Sequence, residues 1–443
     1  MSDPKYKLQK RLGLPFAIAT SVGSVIGSGI MRAPGTIANE VPDMWIALAL
    51  WLAGGLYVLL SANLTAELTA ALPRAGGHYV PVHEAFGDGL GLVAGWTTFV
   101  AYVAGAAAVA LACSDFLGMI VPWIGAHGQV SAALILLVLV AANMSGVEEG
   151  RWIQIVGTVL KVGLLCAVIA IAFIAAPPSE NVAITTNTGT VGAIGIVALI
   201  GAFQLMLGSY EGWYNCIYTA EEDKDPGRNI PRALFQTALI ITVVYLAVNA
   251  SLFTALELSE LRTSDLPMAL VIERVFGSGG AIFVILLATL MALVTLNSLI
   301  IPLPRILFAL ARDRLFFKSA MKINRGGTPY VGLAIAAAII FPLIFSGGYV
   351  FVFKLMAALA IFNSVLYFSA FFALRWKQPD LDRPFRAIGY PLLPGLLMLM
   401  VIGLLIAVLV ADPTGAVWVF GLVAICVPMG AILGRQRRQE AQA

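Results

Sequence analysis

Val25-Ile26-Gly27-Ser28-Gly29-Ile30 lies inside an apolar run, Leu14 to Ala33, that would otherwise cross a bilayer as one helix. At about 1.5 Å per residue such a run is long enough to span, yet Gly27 and Gly29 are the residues least able to hold helix there. The expectation is a helix broken at mid-membrane. Open backbone is tolerated at that depth only where protein buries it or a cavity adjoins it, because the freed N–H and C=O groups need partners. A ligand can be that partner. The amides near Ser28, Gly29 and Ile30 form a positive dipole end suited to a carboxylate. The carbonyls around Val25 and Ile26 suit an ammonium group or a cation. The same glycines also fit a close helix crossing, with Gly23, Gly27 and Gly29 admitting a neighbour, and this stretch alone does not choose.

Of 443 residues, 60% are hydrophobic and 12% charged, which marks a polytopic all-α membrane protein. Apolar runs fall at 14–39, 44–71, 89–120, 130–146, 151–176 and 191–222, then at 230–256, 279–314, 328–346, 349–376, 389–411 and 414–434, which predicts twelve spans. With the N-terminus inside, the cytoplasmic segments hold 21 lysines and arginines and the outer ones only Arg262 and Arg274. Both termini are therefore expected in the cytoplasm, and the net charge of +3 reflects topology rather than nucleic-acid binding. The first ten residues are polar and carry no cleavable signal pattern, so the first span is expected to be retained. Cys113, Cys166, Cys216 and Cys426 fall in or at the ends of spans, with neither a disulfide framework nor metal-ligand spacing. His78 and His83 lack a third ligand, and no cofactor is implied.

A second break is expected at Gly208-Ser209-Tyr210-Glu211-Gly212-Trp213, in the sixth run. Each break opens a set of five helices, and an odd number per set inverts the second copy. That is the inverted-repeat plan typified by the leucine transporter, with its site between the repeats. The expected divisions are a tail at 1–12, repeats at 13–176 and 191–376, two further helices within 389–434, and a tail at 435–443. Lys161 stands ten residues past Arg151, about 15 Å into the fifth run. A cation there costs at least a few kcal/mol unless it is paired or hydrogen-bonded, so its default reading is functional.

Four stretches in order resemble the amino acid-polyamine-organocation superfamily. They are Gly27-Ser28-Gly29-Ile30, Pro73-Arg74-Ala75-Gly76-Gly77-His78-Tyr79, Tyr210-Glu211-Gly212-Trp213 with Glu221-Glu222, and Leu296-Asn297 with Arg305 and Ala311-Arg312-Asp313. They are most similar to its L-type amino acid transporter branch and the bacterial exchangers. The resemblance implies a leucine-transporter fold that binds an amino acid midway, its carboxylate on amides near Ser28 and Gly29, its amine on carbonyls of both breaks. The implied site takes in Val25, Ile26, Ser28, Gly29 and Ile30 with Ser209, Tyr210, Glu211, Gly212 and Trp213, the last as an aromatic lid or as packing. Lys161 matches a lysine that replaces sodium in sodium-independent members, and Pro302-Leu303-Pro304 stands where sodium-binding hydroxyls are expected.

Two residues depart from the branch pattern, Glu211 where glycine is usual and Arg32 where an apolar residue is usual. They either pair with one another or read the substrate side chain. With no cation near, Glu211 could instead carry a proton. The function expected is secondary-active amino acid transport across the inner membrane by alternating access, sodium-independent, by exchange or proton coupling, with a polyamine or amine carrier as the alternative. A channel would need more deep polar groups, and no enzyme or nucleotide-binding motif occurs. The partners implied are a small-molecule substrate and the bilayer, with no nucleic acid; the oligomeric state is left open.

Overall fold

The computed structural model describes residues 8–174, 195–264, 266–346, 348–411 and 413–442. Among them every regular element is helical. In chain order these are α1 (Leu14–Val25), α2 (Ser28–Glu40), α3 (Met44–Ala71), α4 (Tyr79–Phe86), α5 (Asp88–Gly118), α6 (Pro122–Ala126), α7 (Gly128–Ser145), α8 (Val147–Ile174) and α9 (Ile196–Tyr210). A 3₁₀ helix, Asn215–Glu222, follows α9, and a second, Lys318–Met321, lies between Arg312 and Tyr330. The remainder are α10 (Pro226–Ala255), α11 (Leu258–Thr263), α12 (Pro267–Phe276), α13 (Ser278–Ile300), α14 (Pro302–Arg312), α15 (Tyr330–Ser346), α16 (Gly348–Lys377), α17 (Leu392–Ala411) and α18 (Pro413–Gln442).

The ends follow local chemistry. Asp43 caps α3 by accepting from the Ile46 amide at 2.9 Å, and proline stands in the first turn of α1, α10, α12 and α14, where its missing N–H is not needed. The helices lie where the apolar runs predict them. Nine spans among the described residues are long and apolar enough to cross a membrane, counting α1–α2 and α13–α14 as one each. Tyr330–Ser346 and Gly415–Gly430 are apolar but shorter. The sixth expected span begins at 191–194, outside the described residues, as do the repeat ends at 175–176. The chain is an integral membrane protein.

Burial decides which helices form the centre. In α5 and in α13–α14, 78% of the apolar stretch is buried, against 17% in α17. α5 packs on α13 and α16, α3 on α10, and α1 on α8, α10 and α13. α8 is sided the opposite way to a soluble helix: Gln154, Thr158 and Lys161, four and three apart, are buried, while Val156, Val159 and Leu160 are exposed. A lipid-facing helix keeps apolar groups outside and polar ones in the bundle.

The end of the bundle richest in arginine is tied across elements. Glu222 and Arg305 form a buried pair at 2.9 Å and 3.2 Å. Glu221 accepts from Arg312 at 2.7 Å and from the Ala75 amide at 2.8 Å, and Asp313 accepts from Arg74 at 3.1 Å and Tyr79 at 2.8 Å. Burial and the Asp313 carboxylate push the Tyr79 phenol up, so it remains a donor. The second, third and fourth sequence motifs thus converge here. Leu12, ahead of α1, pairs with the segment after the first 3₁₀ helix: its amide donates to Glu222 O at 2.9 Å and its carbonyl accepts from the Lys224 amide at 3.1 Å.

Candidate functional site

Both expected breaks are present and they face each other. α1 stops at Val25, Ile26 and Gly27 leave the helical region, and α2 restarts at Ser28. α9 stops at Tyr210, Glu211 is extended, and Gly212 takes φ +99°, a left-handed value that favours glycine. A Cβ on Gly29 would lie 3.2 Å from Ser209 Cα, and one on Gly212 would lie 2.4 Å from Ser24 Oγ. A Cβ on Gly27 would meet Thr295 Oγ1 at 2.6 Å, and one on Gly23 would meet Gln154 Nε2 at 2.0 Å. Broken helix and close crossing are therefore both realised: the glycines open the backbone and also admit its neighbours.

The Lys161 side chain is fully buried and ends on the broken helix. Its Nζ lies 2.7 Å from Gly23 O, 2.5 Å from Ile26 O and 3.3 Å from Thr295 Oγ1. One and two turns earlier, Thr158 Oγ1 and Gln154 Nε2 donate to Ala19 O at 3.0 Å and 3.1 Å. At Gly23 and Ile26 the α8 stripe supplies a donor to carbonyls that the end of α1 leaves unmet, and at Ala19 it adds a second tie to the helix. Asn297 donates to Gln154 Oε1 at 3.0 Å and accepts from Asn143 at 2.7 Å, extending the network through α13 to α7. The position beside Lys161 on α13 is Thr295, not the prolines; Pro302 and Pro304 begin α14, roughly two turns further on. Those prolines therefore carry no information about a cation site.

A residue that sequence reasoning passed over joins the two breaks. The Tyr245 hydroxyl of α10 lies 2.9 Å from Val25 O and 2.8 Å from Ser209 O, the last carbonyl regions of α1 and α9. Its ring is held edge-on by Trp51 at 5.3 Å and Tyr210 at 4.8 Å, and Tyr210 donates its own hydroxyl to Trp51 O at 2.8 Å.

An internal cavity opens beside the breaks, with about 80 Å³ of space for water centres. One water needs roughly 10–15 Å³ of such space, so several waters or one small zwitterion fit. Val25, Gly29, Ser209, Glu211 and Gly212 from the expected set line it. The Ser28 side chain lies outside the described residues. Ile26 is turned to Lys161 through its carbonyl, and Ile30 is buried in the core. Tyr210 and Trp213 line a neighbouring smaller cavity instead. The aromatic wall of the main cavity is Tyr102, Tyr214, Tyr218, Phe353 and His78. Tyr214 stands just ahead of the first 3₁₀ helix and Tyr218 within it, and both reach the cavity.

Tyr214 also donates its hydroxyl to Glu211. Arg32, the partner considered for Glu211, has its guanidinium 4.6 Å over the Phe116 ring on α5, next to Asp115. The structure thus brings Glu211 to the cavity and places Arg32 elsewhere. Among the described residues no group of three His, Cys, Asp or Glu could hold a metal ion.

Facing helix ends, a buried lysine on the open carbonyls and a cavity between them make up the candidate site. A family model described as amino acid permease matches residues 12–432. The chain belongs to the amino acid permease family. Among curated relatives, this permease is 27% identical to the serine/threonine exchanger SteT of Bacillus subtilis (strain 168) over 89% of its own length and 90% of the relative's. It is 28% identical to the large neutral amino acids transporter small subunit 2 of Homo sapiens, over 86% of its own length and 72% of the relative's. With the Asc-type amino acid transporter 1 of Mus musculus the identity is 27%, over 87% and 74%. The permease thus lies with the L-type transporters and bacterial exchangers of the amino acid-polyamine-organocation superfamily, whose members carry solutes rather than transform them.

Proposed function

We propose that this permease is a secondary-active amino acid carrier of the inner membrane that works by alternating access and does not use sodium. The observation that carries the reading is the pair of broken helices facing each other, with Val25, Gly27 and Gly29 of the first break and Ser209, Glu211 and Gly212 of the second lining one cavity. Amides at a helix start hold a carboxylate, and carbonyls at helix ends hold an ammonium, so the two charges of an amino acid have complementary ends to meet. The printed activities of the relatives, exchange of serine and threonine among them, agree with that chemistry. Lys161 supports sodium independence, since its ammonium takes the Gly23 and Ile26 carbonyls that a cation would need. In this reading the chain has twelve spans, two inverted sets of five within 13–176 and 191–376, and both termini in the cytoplasm.

Glu211 on the cavity wall favours a second reading, a carrier of amines, because a carboxylate there attracts a positive charge that a zwitterion already satisfies elsewhere. Uptake into liposomes preloaded with each of twenty amino acids and several polyamines, with and without a pH gradient, separates the readings. Uptake driven by an internal amino acid marks exchange, and uptake driven by the gradient marks proton coupling. If only polyamines drive uptake, the amine reading replaces the first. Uptake should persist when choline replaces sodium at constant pH, and its abolition there would overturn the role given to Lys161.

A further inference from the structure

Behind Glu211 lies the second, smaller cavity, with about 40 Å³ of space for water centres, between α3, α9 and α16. Its partition from the main cavity consists of Gly208, Glu211, Met356 and Ala360, which line both. That wall is thin where glycine and alanine stand, and yielding where the unbranched methionine stands. Gln204 and Gly208, four apart, lie on one face of α9 and Glu211 just past its end, so the chamber runs from an amide to a carboxyl group. The Gln204 amide nitrogen is buried and donates to nothing among the described residues. On the walls opposite are Tyr57 and Ser364; the Ser364 hydroxyl donates to Ala360 O at 2.9 Å and is hydrogen-bonded with Tyr57.

We propose that this chamber reads the far end of the substrate side chain and is built for a terminal carboxamide, an inference that rests on the amino acid carrier reading. The end group must accept from Gln204 and donate toward Glu211. A carboxamide does both. An ammonium or guanidinium only donates and leaves the Gln204 nitrogen unmet, and a hydrocarbon end serves neither. The room, roughly that of three waters at 10–15 Å³ each, matches such a group and not a second amino acid.

The test is competition against labelled alanine uptake in proteoliposomes, using L-glutamine, its apolar isostere L-homoleucine, and L-lysine. Glutamine should compete about five- to tenfold better than homoleucine, the ratio for one net hydrogen bond, and better than lysine. In Gln204→Met, similar in shape without the donor, the glutamine-to-homoleucine ratio should fall to about one; Gln204→Leu repeats the measurement if the first variant does not insert. Equal competition by glutamine and homoleucine in the native protein overturns the proposal and leaves the chamber to water, as does an unchanged ratio in the variants. Lysine as the strongest competitor overturns the carboxamide class. Failure of labelled alanine and labelled glutamine alike to be carried strikes the carrier reading instead, and this inference with it.

Discussion

Lys161 ends on Ile26: the ammonium of one lies 2.5 Å from the carbonyl oxygen of the other, where α1 has just lost its helical hydrogen bonds. A buried carbonyl stripped of its donor costs about 1–3 kcal/mol, and Lys161 serves two of them, at Gly23 and Ile26. Thr295 still reaches Gly23 O at 3.1 Å, so the loss is partial there and complete at Ile26. Lys161→Ala should insert and elute as a single species, melt lower than the native protein, and transport at least tenfold more slowly. Exchange at the native rate would make Lys161 a passive packing residue.

Tyr245→Phe removes one oxygen and should unlink the two breaks. The hydroxyl has one proton to share between Val25 O and Ser209 O, so its removal strips one of these buried carbonyls of its donor at a time, at a cost of about 1–3 kcal/mol. The comparison is Tyr210→Phe, which removes the hydroxyl from Trp51 O and touches neither break carbonyl. Both variants should lose stability in a thermal melt, but only Tyr245→Phe should lose transport out of proportion, by tenfold or more. Equal losses in transport would reduce Tyr245 to one more buried phenol.

Glu211 and Tyr214 should behave as a unit. Because the Tyr214 hydroxyl donates to the Glu211 carboxyl group, substrate affinity in Glu211→Gln with Tyr214→Phe should fall by less than the sum of the single effects, with a coupling of about 0.5–3 kcal/mol. Arg32→Gln combined with Glu211→Gln should be additive to within about 0.5 kcal/mol, since Arg32 stands over Phe116. Coupling in the second cycle and additivity in the first would reverse the partner assignment.

At the basic end, Glu222 and Arg305 are both nearly inaccessible to solvent and hold each other by two hydrogen bonds. Removing one member leaves the other charge buried and unpaired, at about 3–5 kcal/mol, whereas removing both is far milder. Arg305→Met should therefore express poorly or melt well below the native protein, and Glu222→Gln with Arg305→Met should recover most of the difference. A double variant as unstable as the single one would show that the pair is not what stabilises this end.

The breaks were legible because glycine placed twice within a spanning run has little other use, and the polar stripe of α8 because Lys161 is expensive in lipid. What escaped depended on packing between distant segments. Tyr245 is a lone tyrosine in an apolar run, and nothing local to it says that two carbonyls from α1 and α9 will meet its hydroxyl. Trp213 is read from the sequence as a lid or as packing, yet the turn at Gly212 sends it to the smaller chamber and Tyr214 to the larger. The α13 register was misjudged for a similar reason: the prolines stood out in the sequence, and Thr295, seven residues earlier, did not. Charge alone suggested Arg32 for Glu211; an aromatic ring on α5 claims that guanidinium instead.

The short pairing of Leu12 with Glu222 and Lys224 has a mechanical consequence. α1 and the first 3₁₀ helix run side by side from the cavity to the basic end, and they are pinned at three heights: Gly212 against Ser24 at the top, the Cys216 amide on Ser21 Oγ at 3.1 Å in the middle, and the Leu12 bridge at the bottom. Ties at three heights resist shear and splay between the two segments, so a force that tilts one of these half-helices is passed to the other, and under the alternating-access reading proposed above they would move as a single hinged panel.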